Sequence, residues 1–393
     1  MLIGNFALIT GALNANKGEV ISRIFKAKLL AKYLKQEGKN LHAFHFHMPY
    51  LPDIQTILSP QLQQLSLPNV ELVDEDSALL LKFTSLQALN ICLDELDKNK
   101  TKDLLLFTNL QQITIKTPNI PGNDQNSLPC EFRNFTHLRS LNLLDVHLHD
   151  PLVKEIVTLP QLEQLTMRCS RTSLIHLSIL TNLTHLNLED TLPSRAATSR
   201  QPMVSSEFVT SLTQLKTLRL SHYHLSTINA LSSLTKLATL QLDDSYIEGE
   251  FPLFDKLTNL KELDLGVYYS QEIFNINFDS IRDLVFLTKL NLLGLYYNND
   301  FDLETVSILT ETISKLERLR SLGLTLYVFD KIILKPLQKL TNLTSLELHF
   351  KDTVIDQGEL LLPWKKIIKL SFWKCTVDLE AMPALEEMKI SKY

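Results

Sequence analysis

The chain has 393 residues, with 39 Lys and Arg against 44 Asp and Glu, and its net charge of −5 argues against a general nucleic-acid binder. Hydrophobic residues make up 45%, enough for a large core, yet no apolar run approaches the roughly 18 residues a membrane span needs. Cys92, Cys130, Cys169 and Cys375 form neither a C-x-x-C motif nor a terminal pair, which points to a reducing compartment.

Residues 1–15 read as a degenerate opening strand, Ile3-x-x-Phe6-x-Leu8, without the basic residues that lead a signal peptide. Residues 19–36 read as a helix: Val20, Ile21, Ile24, Phe25, Leu29 and Tyr33 recur at helical spacing, and Gly38 stands at the C-cap position. Its stripe of Lys28, Lys32, Lys35 and Lys39 reads as the solvated side of a cap over the first end of the stretch that begins at Leu41. A basic amphipathic helix lying on a membrane or a partner is the alternative.

From Leu41 onward the pattern is L-x-x-L-x-L. It occurs fifteen times, the first copy starting at Leu41 and the last at Leu385. Most copies start 21 to 24 residues apart, with longer gaps after Leu110, Leu183, Leu260 and Leu287. The x-L-x-L core has a period of two, which is a strand signal. One five-residue strand cannot bury its apolar side alone, so each copy must stack parallel to its predecessor over a shared interior. The lead-in L-T-N-L opens the copies at 180–183, 257–260 and 340–343, with FTNL at 107–110 and LTKL at 234–237.

These copies resemble the leucine-rich repeat family over residues 41–390, and the lead-in is most similar to its short-repeat bacterial members. The resemblance implies an α/β solenoid, a horseshoe with a parallel β-sheet on the concave face. Loops, 3-10 turns and helices would form the convex face. Residues 1–40 would be a strand and capping helix, and 41–393 a repeat domain of about 15 units with no separate C-terminal cap. The family usually places Asn three residues after the last strand leucine. This chain never does: the position holds Asp94, Ser170, Thr191, Ser245 and Cys375, but also Val70, Pro118, Val146, Tyr223, Tyr268, Leu295 and Tyr327. Other groups must then satisfy the buried turns, and an irregular solenoid is expected.

Two loops interrupt the repeats, a Pro-, Gly- and Asn-rich excursion at 117–126 and a longer one at 190–206. In the unit after Leu287, Val306, Leu309, Ile313 and Leu316 predict a convex helix with Asp302 as its N-cap. The sequons at Asn134 and Asn182 carry little weight, the second being part of the repeat itself.

Nucleotide-binding, hydrolase, zinc-protease and C-x-x-C motifs are all missing, so catalysis, a cofactor and a bound metal are not expected. His45 and His47 share one side of a strand, but the neighbouring strand offers no third ligand. A non-enzymatic interaction scaffold for a protein or peptide is the expected function. The alternative is a substrate-recognition subunit of a larger assembly, such as a ubiquitin-ligase adaptor. Glu380, Glu386 and Glu387 near the end resemble the export tails of bacterial effectors, so the expected place of action is the cytosol, including that of a host.

Residues alternating with the strand leucines must point onto the concave face. In the middle units they turn acidic: Glu189, Asp243, Glu262 and Asp264, with Asp190 and Asp244 at the strand ends and Arg219 among them. Tyr223, Tyr268 and Tyr269 stand at or beside the missing Asn position. An acidic, tyrosine-bearing patch predicts a partner with a basic surface. Trp373, with Lys369, Lys389 and His349, is a second candidate near the end of the face.

Overall fold

The computed structural model describes residues 42–45, 61–71, 83–92, 104, 107–116, 132–148, 150–169, 171–190, 204–247, 254–266, 268–269, 279–293, 303–326, 331–355, 369–377 and 389–392. The expected opening strand and cap helix of 1–40, His47, Asp302, the excursion at 117–126, residues 191–203 of the second excursion and the glutamate-rich tail lie outside the described residues. The ends expected in the second loop belong to regular elements instead, Asp190 to a strand, Val204–Ser205 to another and Ser206 to a 3-10 turn.

The first strands are β1 (Ala43–His45), β2 (Gln64–Glu71), β3 (Ala88–Cys92), β4 (Gln112–Lys116), β5 (Ser140–Leu148), β6 (Gln164–Cys169) and β7 (His185–Asp190). The middle of the chain adds β8 (Val204–Ser205), β9 (Thr217–Ser221), β10 (His224–Thr227), β11 (Thr239–Gln241), β12 (Tyr246–Ile247), β13 (Glu262–Asp264) and β14 (Tyr268–Tyr269). The last are β15 (Lys289–Leu292), β16 (Ser321–Leu326), β17 (Ser345–Ile355), β18 (Lys369–Val377) and β19 (Lys389–Lys392).

Fifteen of these form one parallel sheet in chain order, one strand per repeat, skipping only β8, β10, β12 and β14. The register follows the repeat. Leu165, Leu186, Leu218, Leu240, Leu263, Leu290, Leu322, Leu346 and Leu370 are direct partners from strand to strand. The strand leucines among these that have a described side chain are buried, and they share one continuous interior. This is the arrangement the period of two requires. The final strand is a correction: the sequence pattern sets Met388 opposite Leu370, whereas Ile390 takes that place, two residues on. A slip of two keeps the same residues facing inward.

The lead-in has its own ladder. The side-chain amides of Asn109, Asn182, Asn259 and Asn342 donate to the carbonyls of Thr84, Pro160, Thr235 and Glu317 in the preceding unit, at 2.7–3.2 Å. Thr184, Thr288 and Thr344 add hydroxyl bonds to the carbonyls of Glu163, Lys261 and Arg320. Each unit is thereby tied to the last at the turn that opens its strand.

The convex side carries 3-10 turns, the longest described one at Arg171–Ile179, and, among the described residues, four helices. These are α1 (Asp150–Ile156), α2 (Asp279–Arg282), α3 (Leu303–Ile313) and α4 (Lys331–Leu337). Helix α3 is the helix expected from the spacing, with Val306, Leu309 and Ile313 buried and Leu316 just beyond them. No described helix is long and apolar enough to cross a membrane.

A second, four-stranded parallel sheet made of β8, β10, β12 and β14 has no counterpart among the expected elements. It begins just after the concave strands of the middle units. The turn that leads into it needs left-handed backbone at His222 (φ 67°) and Asp244 (φ 48°).

Candidate functional site

The concave face is built from the positions that alternate with the leucines, and its middle holds a concavity of about 310 Å³. Its lining comes from six strands or their ends: Lys116, Leu144, Thr166, Arg168, Asn187, Glu189, Arg219, Ser221, Gln241 and Asp243 contribute, from β4 to the residues after β11. Adjacent strands stand about 4.8 Å apart, so the site is about 24 Å long. Arg168, Glu189 and Ser221 are successive register partners across β6, β7 and β9, and Asn187, Arg219 and Gln241 form the neighbouring row.

The charges at the centre are matched. Arg168 Nη2 lies 3.0 Å from Glu189 Oε1, with His222 Nε2 a further 4.0 Å neighbour of the same oxygen. The side chains of Lys116, Arg219 and Asp243 make no hydrogen bond or ion pair with another described residue, and Arg219 is exposed. Burial pushes the Asp243 carboxyl above the usual carboxylate range. The negative charges of Asp264 and, less strongly, Asp244 add to this, while Lys289 and then Arg219 pull the other way. Asp243 is thus a partly desolvated carboxylate without a direct partner, which is costly for an anion.

Several residues expected on this surface are elsewhere. Asp190 is 1% exposed and Tyr223 0% exposed, so neither is available to another molecule. The reasons differ. Strand β7 runs unbroken to Asp190, which has the parity of Leu186 and Leu188 and points inward with them. In the next unit His222 takes its left-handed conformation directly after β9, and the parity resets so that Tyr223 turns into the interior. There its hydroxyl donates to the carbonyl oxygen of Cys169 at 3.1 Å. Ser245, at the same repeat position one unit later, donates to the carbonyl of Leu220 at 3.1 Å. These two side chains serve buried carbonyls of the turns in the absence of the Asn.

Asp264 keeps its place between Leu263 and Leu265 on the concave side, but it is buried beneath its neighbours. Asn291 Nδ2 donates to its Oδ1 at 2.8 Å, the Gly266 amide donates to the same oxygen at 3.2 Å, and Lys289 Nζ stands 3.3 Å from Oδ2. Glu262 remains half-exposed opposite Lys289, and Asp244 is exposed at the rim. Tyr268 and Tyr269 form β14 at the edge of the second sheet, away from the concave row. Trp373 is the register partner of His349 on β18, and His349 Nε2 lies 3.0 Å from Glu347 Oε1.

Reasoning from sequence alone missed Lys116, Arg168 and Lys289. The first two occupy the third alternating position of their units, the same position as Glu189 and Asp243. Counting that position along every unit would have found them. With Lys116 and Arg168 the concavity's lining carries three cations, Arg219 being the third, and two anions, where the sequence pattern had set Arg219 alone among acids. Among the described residues, no three His, Cys, Asp or Glu side chains converge as a metal site.

No family model and no curated protein sequence matches the chain. Solved structures do resemble it. The internalin InlF of Listeria monocytogenes superposes with a TM-score of 0.58 at 18% identity, covering 88% of this chain and 93% of its own. A leucine-rich repeat protein of Leptospira interrogans superposes with a TM-score of 0.55 at 22% identity, covering 92% and 98%. At such identities the likeness is one of fold. Taken with the fifteen repeats in the sequence and their register in a single sheet, it shows that the chain has the leucine-rich repeat fold.

Proposed function

We propose that the protein is a non-enzymatic interaction scaffold that binds a protein or peptide through the middle of its concave face. The observation that carries this reading is the concavity itself, lined from six strands and holding charged groups, Lys116, Arg219 and Asp243, that the rest of the described protein leaves without direct partners. A rigid sheet holds these side chains at fixed spacing, so a partner meets a preorganised surface and less ordering entropy opposes binding. The Arg168–Glu189 pair at the centre helps to keep that surface rigid.

The test is site-specific photo-crosslinking in cells. A photoreactive side chain at Ser221 or Gln241 is expected to capture a partner that the same group at Ile308, exposed on convex helix α3, does not. Reversing charge at Arg219 and Asp243 together should abolish that capture. Equal capture from Ile308, or capture indifferent to the charge reversal, would overturn the reading.

A further inference from the structure

Resting on the concave-face reading above, we infer that the occupant is an extended peptide segment of net negative charge, about eight residues long, with a single basic residue at one end. It would lie along the solenoid, across the strands, with an acidic side chain over Lys116, an apolar one beside Leu144, a second acid at Arg219 and the base at Asp243.

The order of charges along the concavity points this way. From β4 to the residues after β11 the lining runs Lys116, Leu144, Arg168, Glu189, Arg219 and Asp243. Arg168 and Glu189 neutralise each other at 3.0 Å. What remains is a cation at one end, and a cation beside an anion at the other. Leu144 is 36% exposed on this otherwise polar surface, beside Lys116, its register partner.

Length comes from the same geometry. Lys116 and Arg219 stand on strands four steps apart, about 19 Å, which about six extended residues span at roughly 3.3 Å each. Asp243 is one step further. The second acid and the base therefore fall next to or nearly next to each other in the bound segment. Asp243 selects a base because its carboxylate is partly desolvated and feels the charge of Asp264, itself an acid already held by Lys289 and Asn291. A cation from a ligand offsets that burial, whereas a second anion there adds repulsion. The remaining two cations reverse the sign of the partner expected from the acids alone.

The test uses the full chain and a displayed library of random ten-residue peptides. Recovered binders are expected to be net acidic, with one Lys or Arg within two residues of an acid near one end. Lys116→Glu and Arg219→Glu, both at exposed positions, should each weaken them by about tenfold or more. Asp243→Ser should remove the preference for the base while leaving the acids in place. Circular dichroism of each variant checks the fold. Net basic binders, binders indifferent to these substitutions, or no binders at all would overturn the inference. The photo-crosslinking at Ser221 and Gln241 judges the concave-face reading separately, since a partner can be captured there whatever the charge of its contacting segment.

Discussion

The hydroxyl of Tyr223 reaches the backbone carbonyl of Cys169, two repeat units earlier, at 3.1 Å inside the solenoid. Cys169 Sγ lies 3.4 Å from the same hydroxyl oxygen. This bond passes beneath the unit that carries Asp190. It ties β6 to the turn after β9, on either side of β7. One tyrosine thus performs across two units what the repeat family's Asn does within a turn.

Tyr223→Phe removes the donor and keeps the ring. It removes this one bond to the Cys169 carbonyl, a change expected to cost about 0.5–1.5 kcal/mol. Tyr223→Ala adds a cavity, raising the cost to about 3–5 kcal/mol. Urea denaturation of both variants checks the order. Equal stabilities for Tyr223→Phe and the parent chain would show that the bond contributes nothing.

Inward and outward positions should respond oppositely. Leu186 and Leu263 are fully buried, and truncating either to Ala is expected to cost about 2–5 kcal/mol. Hydrogen exchange should show the loss spreading to neighbouring strands, because each unit supports the next. Arg219→Ala, on the exposed face, should stay within about 0.5 kcal/mol of the parent.

The lead-in ladder gives a smaller, additive effect. Asn182→Ala and Asn259→Ala each remove one bond to the previous unit, at 2.7 and 2.9 Å. Each should cost about 0.5–1.5 kcal/mol, and the double variant should cost the sum, since the two positions share no partner. Thermal melts of the single and double variants measure this directly.

Asp243 gives a pH signature. Its carboxyl is pushed up chiefly by burial and then by Asp264, so the folded chain holds the proton more tightly than the unfolded chain. The protonated group therefore favours folding at low pH, and this contribution is lost as pH rises through the raised value. Asp243→Asn keeps the neutral form at every pH. The variant is expected to melt higher than the parent at pH 7, with the gain vanishing below about pH 4, where an ordinary Asp is itself protonated. A variant no more stable than the parent at neutral pH contradicts this.

Gly323 shows how tightly the concave side is assembled next to Asp264. A Cβ there would lie 2.5 Å from Asn291 Oδ1 and 3.2 Å from Leu293 Cγ. Asn291 cannot easily yield, because its Oδ1 accepts from the Leu293 amide at 3.1 Å and its Nδ2 donates to Asp264. Gly323→Ala is expected to cost about 1–3 kcal/mol. Much of that cost should disappear in an Asn291→Ala background, a coupling that a double-mutant cycle reads out.

The repeat, its number and the identity of the inward leucines were legible in the sequence by itself. A period of two over fifteen copies has only one way to bury its apolar side, and Leu186, Leu218 and Leu240 sit in register as that requires. Helix α3 was equally visible, from Val306, Leu309 and Ile313. The second sheet was not, because strands of two to four residues are too short to show a period.

The composition of the site was decided only by the tertiary structure. Whether Asp190 and Tyr223 face in or out depends on where each strand ends and on a single left-handed residue, His222. Which charges remain unmatched depends on neighbours 21 and 25 residues away in sequence, Arg168 beside Glu189 and Lys289 beside Asp264. Alternation along one strand gives the side a residue faces. Only the stacking of strands gives what stands next to it.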